Sequence, residues 1–355
     1  MGSGKSLESL FQYASAYKFD SFAESFREMR PRFSAQELLD ACLMQVQIKL
    51  FAADETLLGD LEQVARMEGA PRFHCLKDRW LPDSPNRFVV FPKTPGALQD
   101  FMQLLPKAEE ELKRRFGAPG AAMAHQIWGE ILYFTGSFEE SLHLAREADS
   151  LDQRQGADAV LSQYVQFRCN LALGLHEEAE QCMLEMIRTA KACPECVGPY
   201  EVIRDWANLT TGWSGDTPRF FEDAPRGEML PVLEDRLEAI RKGISHLSPS
   251  EEPFAEFARR SDHEACTMRQ YYMDIFHAIF WFQAGDFARA ESLFSSVYRI
   301  SLDSGLVMPF AEYGEQVVPL LRYIGGRGAD YSQDWIAAIL TLAERYEESL
   351  RVYRA

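Results

Sequence analysis

Cys193-Pro-Glu-Cys196 is the cysteine pair with the spacing of a metal or redox site. A structural zinc takes four ligands, usually two such pairs. The sequence has no second pair, and only Cys182 and His176 stand nearby upstream. Redox use of the pair would need a strand–helix–strand setting, which the helix-rich pattern around it lacks. Gly212-Trp-Ser214-Gly215 is one residue short of a nucleophile elbow and has no strand before it. Gly2-Ser-Gly-Lys-Ser6 lacks the earlier glycine and the preceding strand of a phosphate loop. It reads as a tag scar, a linker or a disordered tip. The seven histidines form no His-Glu-x-x-His pair. Glu109-Glu110-Glu111 and Glu347-Glu348 are ordinary solvated helix faces, whereas glycoside hydrolysis needs two converging carboxylates. No catalytic residue, metal ligand set or cofactor is expected, and the chain reads as a non-enzyme.

The elements that would position any site are helices. Ser34-Ala-Gln-Glu37 has the spacing of a capping box, and Leu38, Leu39, Cys42, Leu43, Val46 and Leu50 follow at helical intervals. Thr94-Pro95 predicts an N-cap with proline at the first helical position, leading into a helix from Ala97 to Phe116. Ser332 caps a closing helix that carries Trp335, Ile336, Ile339, Leu342, Ala343 and Tyr346. The one strand-like run, Arg87 to Phe91, lies between prolines and is too short to make a sheet alone. The fold class expected is all-α.

A repeat sets the architecture. Gly136-Ser-Phe138-Glu-Glu-Ser141, Gly174-Leu-His176-Glu-Glu-Ala179 and Gly285-Asp-Phe287-Ala-Arg-Ala290 share the form Gly-x-aromatic-x-x-small. Glycine permits the positive φ that ends a helix, the ring packs back, and the small residue lets two backbones approach. Gly136 to Gly174 is 38 residues, as is Gly174 to Gly212 in a degenerate copy, and Gly212 to Gly285 is 73. That period is typical of tetratricopeptide-like helical hairpins. Trp128-Gly129, Ala145 and Ala148 fall at the repeat's packing positions. Such hairpins stack into a right-handed superhelix, a solenoid with a concave face. The expected layout is a helical segment or partial tag over 1–33, an irregular helical part over 34–116, and repeats with the closing helix over 117–355.

The first helix of each hairpin lines the concave face. Aligning the turn glycines selects Gln126, Glu130 and Tyr133, then Tyr164 and Arg168, then Trp206 with Arg204 nearby, then Tyr272, Phe282 and Arg269. The ligand-binding set expected from this is Gln126, Glu130, Tyr133, Tyr164, Arg168, Trp206 and Tyr272. Flat rings with a few polar groups suit a small-ligand site. Aromatics at helical spacing also suit plain inter-repeat core.

Composition narrows the partners. The 355 residues hold 37 Lys and Arg against 54 Asp and Glu, a net charge of −17. DNA binding rests on neutralising phosphates, and membrane surfaces are usually anionic, so neither is an expected direct partner. The seven cysteines are an odd number at mostly wide spacing, which suits free thiols in a reducing, cytoplasmic setting.

Gly305-Leu-Val-Met-Pro-Phe-Ala-Glu-Tyr-Gly314 followed by Val317-Val-Pro-Leu-Leu321 resembles the C-terminal part of the superhelical domain of MalT-like LuxR-family transcriptional regulators. The closing helix from Ile336 to Arg354, with Glu344-Arg-Tyr346 and Leu350, is similar to the last helix before that family's DNA-binding domain. Ile131 to Ala148 and Ile279 to Phe294 resemble its repeats, and the likeness runs from about residue 30 onward. Large members carry an N-terminal ATPase, a superhelical sensor and a C-terminal helix-turn-helix. The resemblance implies that this chain is the sensor part, without the other two. It implies a small-molecule inducer or a protein partner, with DNA contact left to the helix-turn-helix and self-association open. The alternative is a tetratricopeptide scaffold that captures a peptide or partner protein.

Overall fold

A computed structural model describes residues 7–15, 19–69, 86–88, 90–92, 94–151, 157–211, 265–327 and 330–354. The Gly2–Ser6 and Gly212–Gly215 motifs lie outside these residues. The described chain is helical apart from one short ribbon. In the N-terminal part lie α1 (Leu7–Ser15), α2 (Phe19–Met29), α3 (Ala35–Phe51), α4 (Leu57–Ala65) and α5 (Ala97–Phe116). Five further helices follow: α6 (Ala118–Phe134), α7 (Phe138–Leu151), α8 (Ala157–Leu173), α9 (His176–Ala192) and α10 (Val197–Thr211). The C-terminal part holds α11 (Met268–Gln283), α12 (Phe287–Ser304), α13 (Met308–Ala311), α14 (Val318–Gly325) and α15 (Gln333–Arg354).

Local chemistry sets most of these ends. The backbone N–H of Ser34 donates to Glu37 (2.9 Å) and that of Glu37 donates to Ser34 Oγ (3.3 Å), which closes the capping box of α3. Trp335 N–H donates to Ser332 Oγ (3.2 Å) at the start of α15. At α5 the expectation needs correction. The helix begins at Ala97, but its N-cap is Gly96 at φ +79°, and Thr94 instead accepts from Ala97 N–H in the turn before it.

The repeated glycines end their helices in one way. Gly136, Gly174 and Gly285 have φ of +86°, +74° and +84°. After each, the next residue's N–H reaches back to Leu132, Asn170 and Trp281, while the glycine N–H reaches Tyr133, Leu171 and Phe282. This pair of bonds satisfies carbonyls that the helix end would orphan, and the left-handed φ it requires is free of penalty only for glycine. The small residues then sit at buried helix contacts. Ser141 Oγ donates to the Gly129 carbonyl at 2.6 Å, and a Cβ on Gly129 would stand 3.3 Å from the Ser141 carbonyl oxygen.

Consecutive helices pack side by side from α5 through α10, and α11 packs on α12. The first helices of successive hairpins also touch, α6 on α8 and α8 on α10. The strand-like run does find a partner: β1 (Val90–Pro92) pairs antiparallel with β2 (Ala265–Thr267), in register Val90 to Thr267. The run is too short to be a sheet alone, and its partner is supplied from far along the chain. The closing helix α15 lies against α8, α10, α13 and α14.

Candidate functional site

Helix α8 turns two unlike faces outward from its axis. Residues two apart on a helix point about 200° apart, so Tyr164 and Arg168 face one way and Gln166 and Asn170 the other. The first of these faces carries the polar centre of the core.

Arg168 is its hub. The side chain is 2% exposed, and its guanidinium carbon lies 4.2 Å from the Tyr133 ring, 4.6 Å from Tyr164 and 5.0 Å from Phe134. Each is a cation–π distance, and desolvation strengthens such contacts. Arg168 Nη2 donates to Asn86 Oδ1 at 2.8 Å, and Nη1 stands 4.0 Å from Glu312. Glu312 accepts from the hydroxyls of Tyr133 and Tyr272, each at 2.5 Å. Tyr313 donates its hydroxyl to the Tyr272 carbonyl (2.8 Å), and Trp206 meets the Tyr272 ring edge-on with centroids 5.5 Å apart. From α15, the buried Tyr346 hydroxyl lies within electrostatic reach of Glu312 and Tyr133.

A second carboxyl lies beside this hub. Glu130 accepts from the backbone N–H groups of Arg87 (3.1 Å) and Phe88 (2.6 Å), and so anchors the segment leading to β1. The Arg87 side chain is ion-paired with Asp158 and lies 5.4 Å from the Phe51 ring.

Burial sets the proton affinities. It pushes Glu130 up to about 7, against the pull of the Phe88 and Arg87 N–H groups and of Arg168. It raises Glu312 above the usual carboxylate range, opposed by Arg168 and the two phenols. Burial, with the Glu312 charge, holds Tyr133, Tyr272 and Tyr346 far above the ordinary phenol value, so all three remain donors. Burial favours loss of the Arg168 proton, but the surrounding tyrosines and Glu312 outweigh it and keep the guanidinium charged.

Six of the seven residues selected from the sequence thus meet in one region. Tyr133, Tyr164, Arg168, Tyr272 and Trp206 share contacts, and Glu130 interacts electrostatically with Arg168. Gln126 is buried on α6 but makes no hydrogen bond to them among the described residues. None of the seven is more than 4% exposed. What lies against this face is the chain itself, through Glu312 next to α13 and Tyr346 of α15. Arg204 belongs to a separate buried group with Glu201 and Asp205. Phe282 meets Phe287 edge-on and Tyr323 at a tilt, and the Arg269 side chain lies outside the described residues.

Sequence reasoning missed Asn86, Glu312 and Tyr346 as members of this centre. Glu312 and Tyr346 stood inside the stretches that resemble the regulator family, but nothing in their own spacing marked them. Cys193 caps a 3-10 turn that ends at Cys196, and neither forms a disulfide among the described residues. Among the described residues no group of three potential ligands is placed to hold a metal ion, and no helix is long and apolar enough to cross a membrane.

No family model matches the sequence, and no curated protein or solved structure matches it. Fold and site together define an all-helical protein whose closing helix is joined to its hairpins through a sealed arginine–carboxyl–tyrosine centre.

Proposed function

We propose that the chain is the non-enzymatic sensing module of a MalT-like LuxR-type transcription regulator, acting in the cytoplasm through an array of tetratricopeptide-like hairpins. The observation that carries the reading is the docking of α15 on the Arg168–Glu312 centre. In the family this helix leads into the DNA-binding domain, so whatever controls its seat controls the output. The inward residues Glu130, Tyr133, Tyr164, Arg168, Trp206 and Tyr272, with Gln126 beside them, open to an inducer only when α15 leaves. Inducer binding and release of α15 are then one equilibrium, shifted by the inducer's preference for the open form. The hairpin order, with α6 on α8 and α8 on α10, supports the superhelical arrangement.

A thermal-shift screen of the purified chain against a metabolite library tests this. A ligand at 100 times its Kd adds about 2.7 kcal/mol of stability, a shift of several degrees in Tm. The expected result is a saturable hit whose midpoint concentration falls in Tyr346→Phe, because the variant holds α15 less firmly. A hit with an unchanged midpoint would separate the ligand from α15 and defeat the mechanism. The second reading, a scaffold for a peptide or partner protein, is favoured by the net charge of −17, which suits a cationic partner.

A further inference from the structure

Away from the Arg168 centre, an open cavity of about 670 Å³ lies between α2 and α3. That volume is within the usual range for ligand sites. Helix α1 packs on both helices and so fixes the two walls. Those walls are largely apolar. Phe19, Phe22 and Phe26 recur along α2 at helical spacing, and Ile48 and Ala52 line the cavity from α3. Phe22 and Phe26 are buried and Phe19 half-buried.

One end of the α3 wall is strained. Ala53, 1% exposed, has φ +50° and is the one non-glycine at positive φ among the described residues. It follows α3, where the Asp54 N–H reaches back to the Lys49 carbonyl at 3.0 Å. Glycine would hold that turn without steric penalty. Alanine adds only a methyl group, and Ala53 lines the cavity. Residues kept in such a conformation cluster at ligand sites.

The polar groups of the lining divide by partner. Lys49 is paired with Asp60 at 2.7 Å, Gln45 donates to Asp60 at 2.8 Å, and Asp54 accepts from the Thr56 N–H at 2.8 Å. Asp20 is engaged as well. Arg27, in the last turn of α2, and Arg30, three residues on, are exposed and have no carboxylate partner among the described residues. Arg114, Arg188 and Arg351 each pair with the glutamate three residues before them. Arg27 has Glu24 at the same spacing and forms no such pair. The Arg30 guanidinium carbon stands 6.0 Å from the Phe26 ring. These two cations face one remaining carboxylate of the lining, Glu55 on the turn after α3. Guanidinium forks match the two oxygens of a carboxylate. From Phe19 to Arg27 the α2 wall runs about 12 Å.

We propose that this cavity binds a carboxylic acid with an apolar body of that length, its carboxylate taken by Arg27 and Arg30 and its body laid against Phe19, Ile48, Ala52 and Ala53. The site is separate from the Arg168 centre, and the inference stands without the sensing reading. An amine with the same body fits less well, because both guanidinium groups repel its head.

The test is titration calorimetry of the full chain with decanoate, using decylamine and acetate as controls. Decanoate should bind saturably and more tightly than either control. The double variant Arg27→Gln, Arg30→Gln should bind decanoate at least tenfold more weakly at an unchanged Tm, because both side chains are exposed. Ala23→Trp puts a large ring on the lining from an exposed position of α2 and should abolish binding, again without loss of Tm. Decylamine binding as tightly as decanoate would overturn recognition of the acid. Equal binding by the double-arginine variant or by Ala23→Trp would place the ligand elsewhere and overturn the site. No binding of decanoate by the unaltered chain would overturn the proposal outright and leave the reading of the Arg168 centre standing.

Discussion

The two faces of α8 bury polar groups in different company. On the inner face Arg168, Glu312, Tyr133 and Tyr272 interact through contacts that cross from α6, α8 and α11 to the segment after α13. On the outer face Gln163 and Asn170 bond only to the neighbouring α7 and α9, through Asp149 and Cys182. Both faces leave buried atoms without a hydrogen-bond partner among the described residues, Nε and Nη1 of Arg168 as much as Gln166 Nε2 and Asn170 Oδ1. The inner face therefore ties distant parts of the chain together, while the outer face ties sequence neighbours. An unsatisfied atom alone does not mark a binding site.

Removing the inner cation gives the largest expected effect. Arg168→Met leaves the Glu312 carboxyl buried without its counter-charge, which costs about 3–5 kcal/mol. Urea unfolding followed by tryptophan fluorescence reads the loss. Adding Glu312→Gln should restore part of it, and a double variant no better than the single one would show that Arg168 acts by packing alone.

A pH series comes next. Glu130 has a folded value of about 7 against an ordinary 4.5, so the folded state holds its proton more tightly. The stability from this group is complete below about pH 4.5 and is lost as pH rises through 7, an effect of about 3 kcal/mol. Glu312 is shifted in the same direction. Urea midpoints at pH 5 and pH 8 measure the slope, and Glu130→Gln should flatten it relative to the unaltered chain. An identical slope in the variant would remove Glu130 from the account.

Tyr272→Phe takes one donor from Glu312 and should cost about 1.5–3 kcal/mol, the range for hydrogen bonds to charged groups. Asn170→Ala removes only the bond to Cys182 Sγ on the outer face, a bond to an uncharged group, and should cost no more than about 0.5–1.5 kcal/mol. If the outer substitution proved the costlier of the two, the contrast between the faces would fail.

Local signals in the sequence carried far. The Ser34–Glu37 box, Ser332 and the three glycine turns each act within six residues, so their chemistry is complete in a short window. The inward face of α6 and α8 was also legible, because helical period fixes which side chains share a side. What lay against that face was not. Tyr133 and Glu312 are 179 positions apart, and no period links them. Thr94-Pro95 misled because Gly96, in a left-handed conformation, takes over the cap. Of the strand-like run Arg87–Phe91 only Val90 and Phe91 fall in β1, and its partner over 265–267 lies too far along the chain for spacing to reveal.

The reach of these pairings has a consequence for synthesis. Ribosomes add roughly 5–20 residues per second, so Tyr133 waits on the order of ten to thirty seconds for Glu312 to be made. The Val90–Thr267 register waits nearly as long. During that interval α6 to α10 can already pack, since their contacts are between sequence neighbours. The Arg168 guanidinium and its rings then sit on an open, wet surface. A nascent chain stalled before residue 312 would present that surface to chaperones, and only the stretch from Glu312 through α15 would seal it.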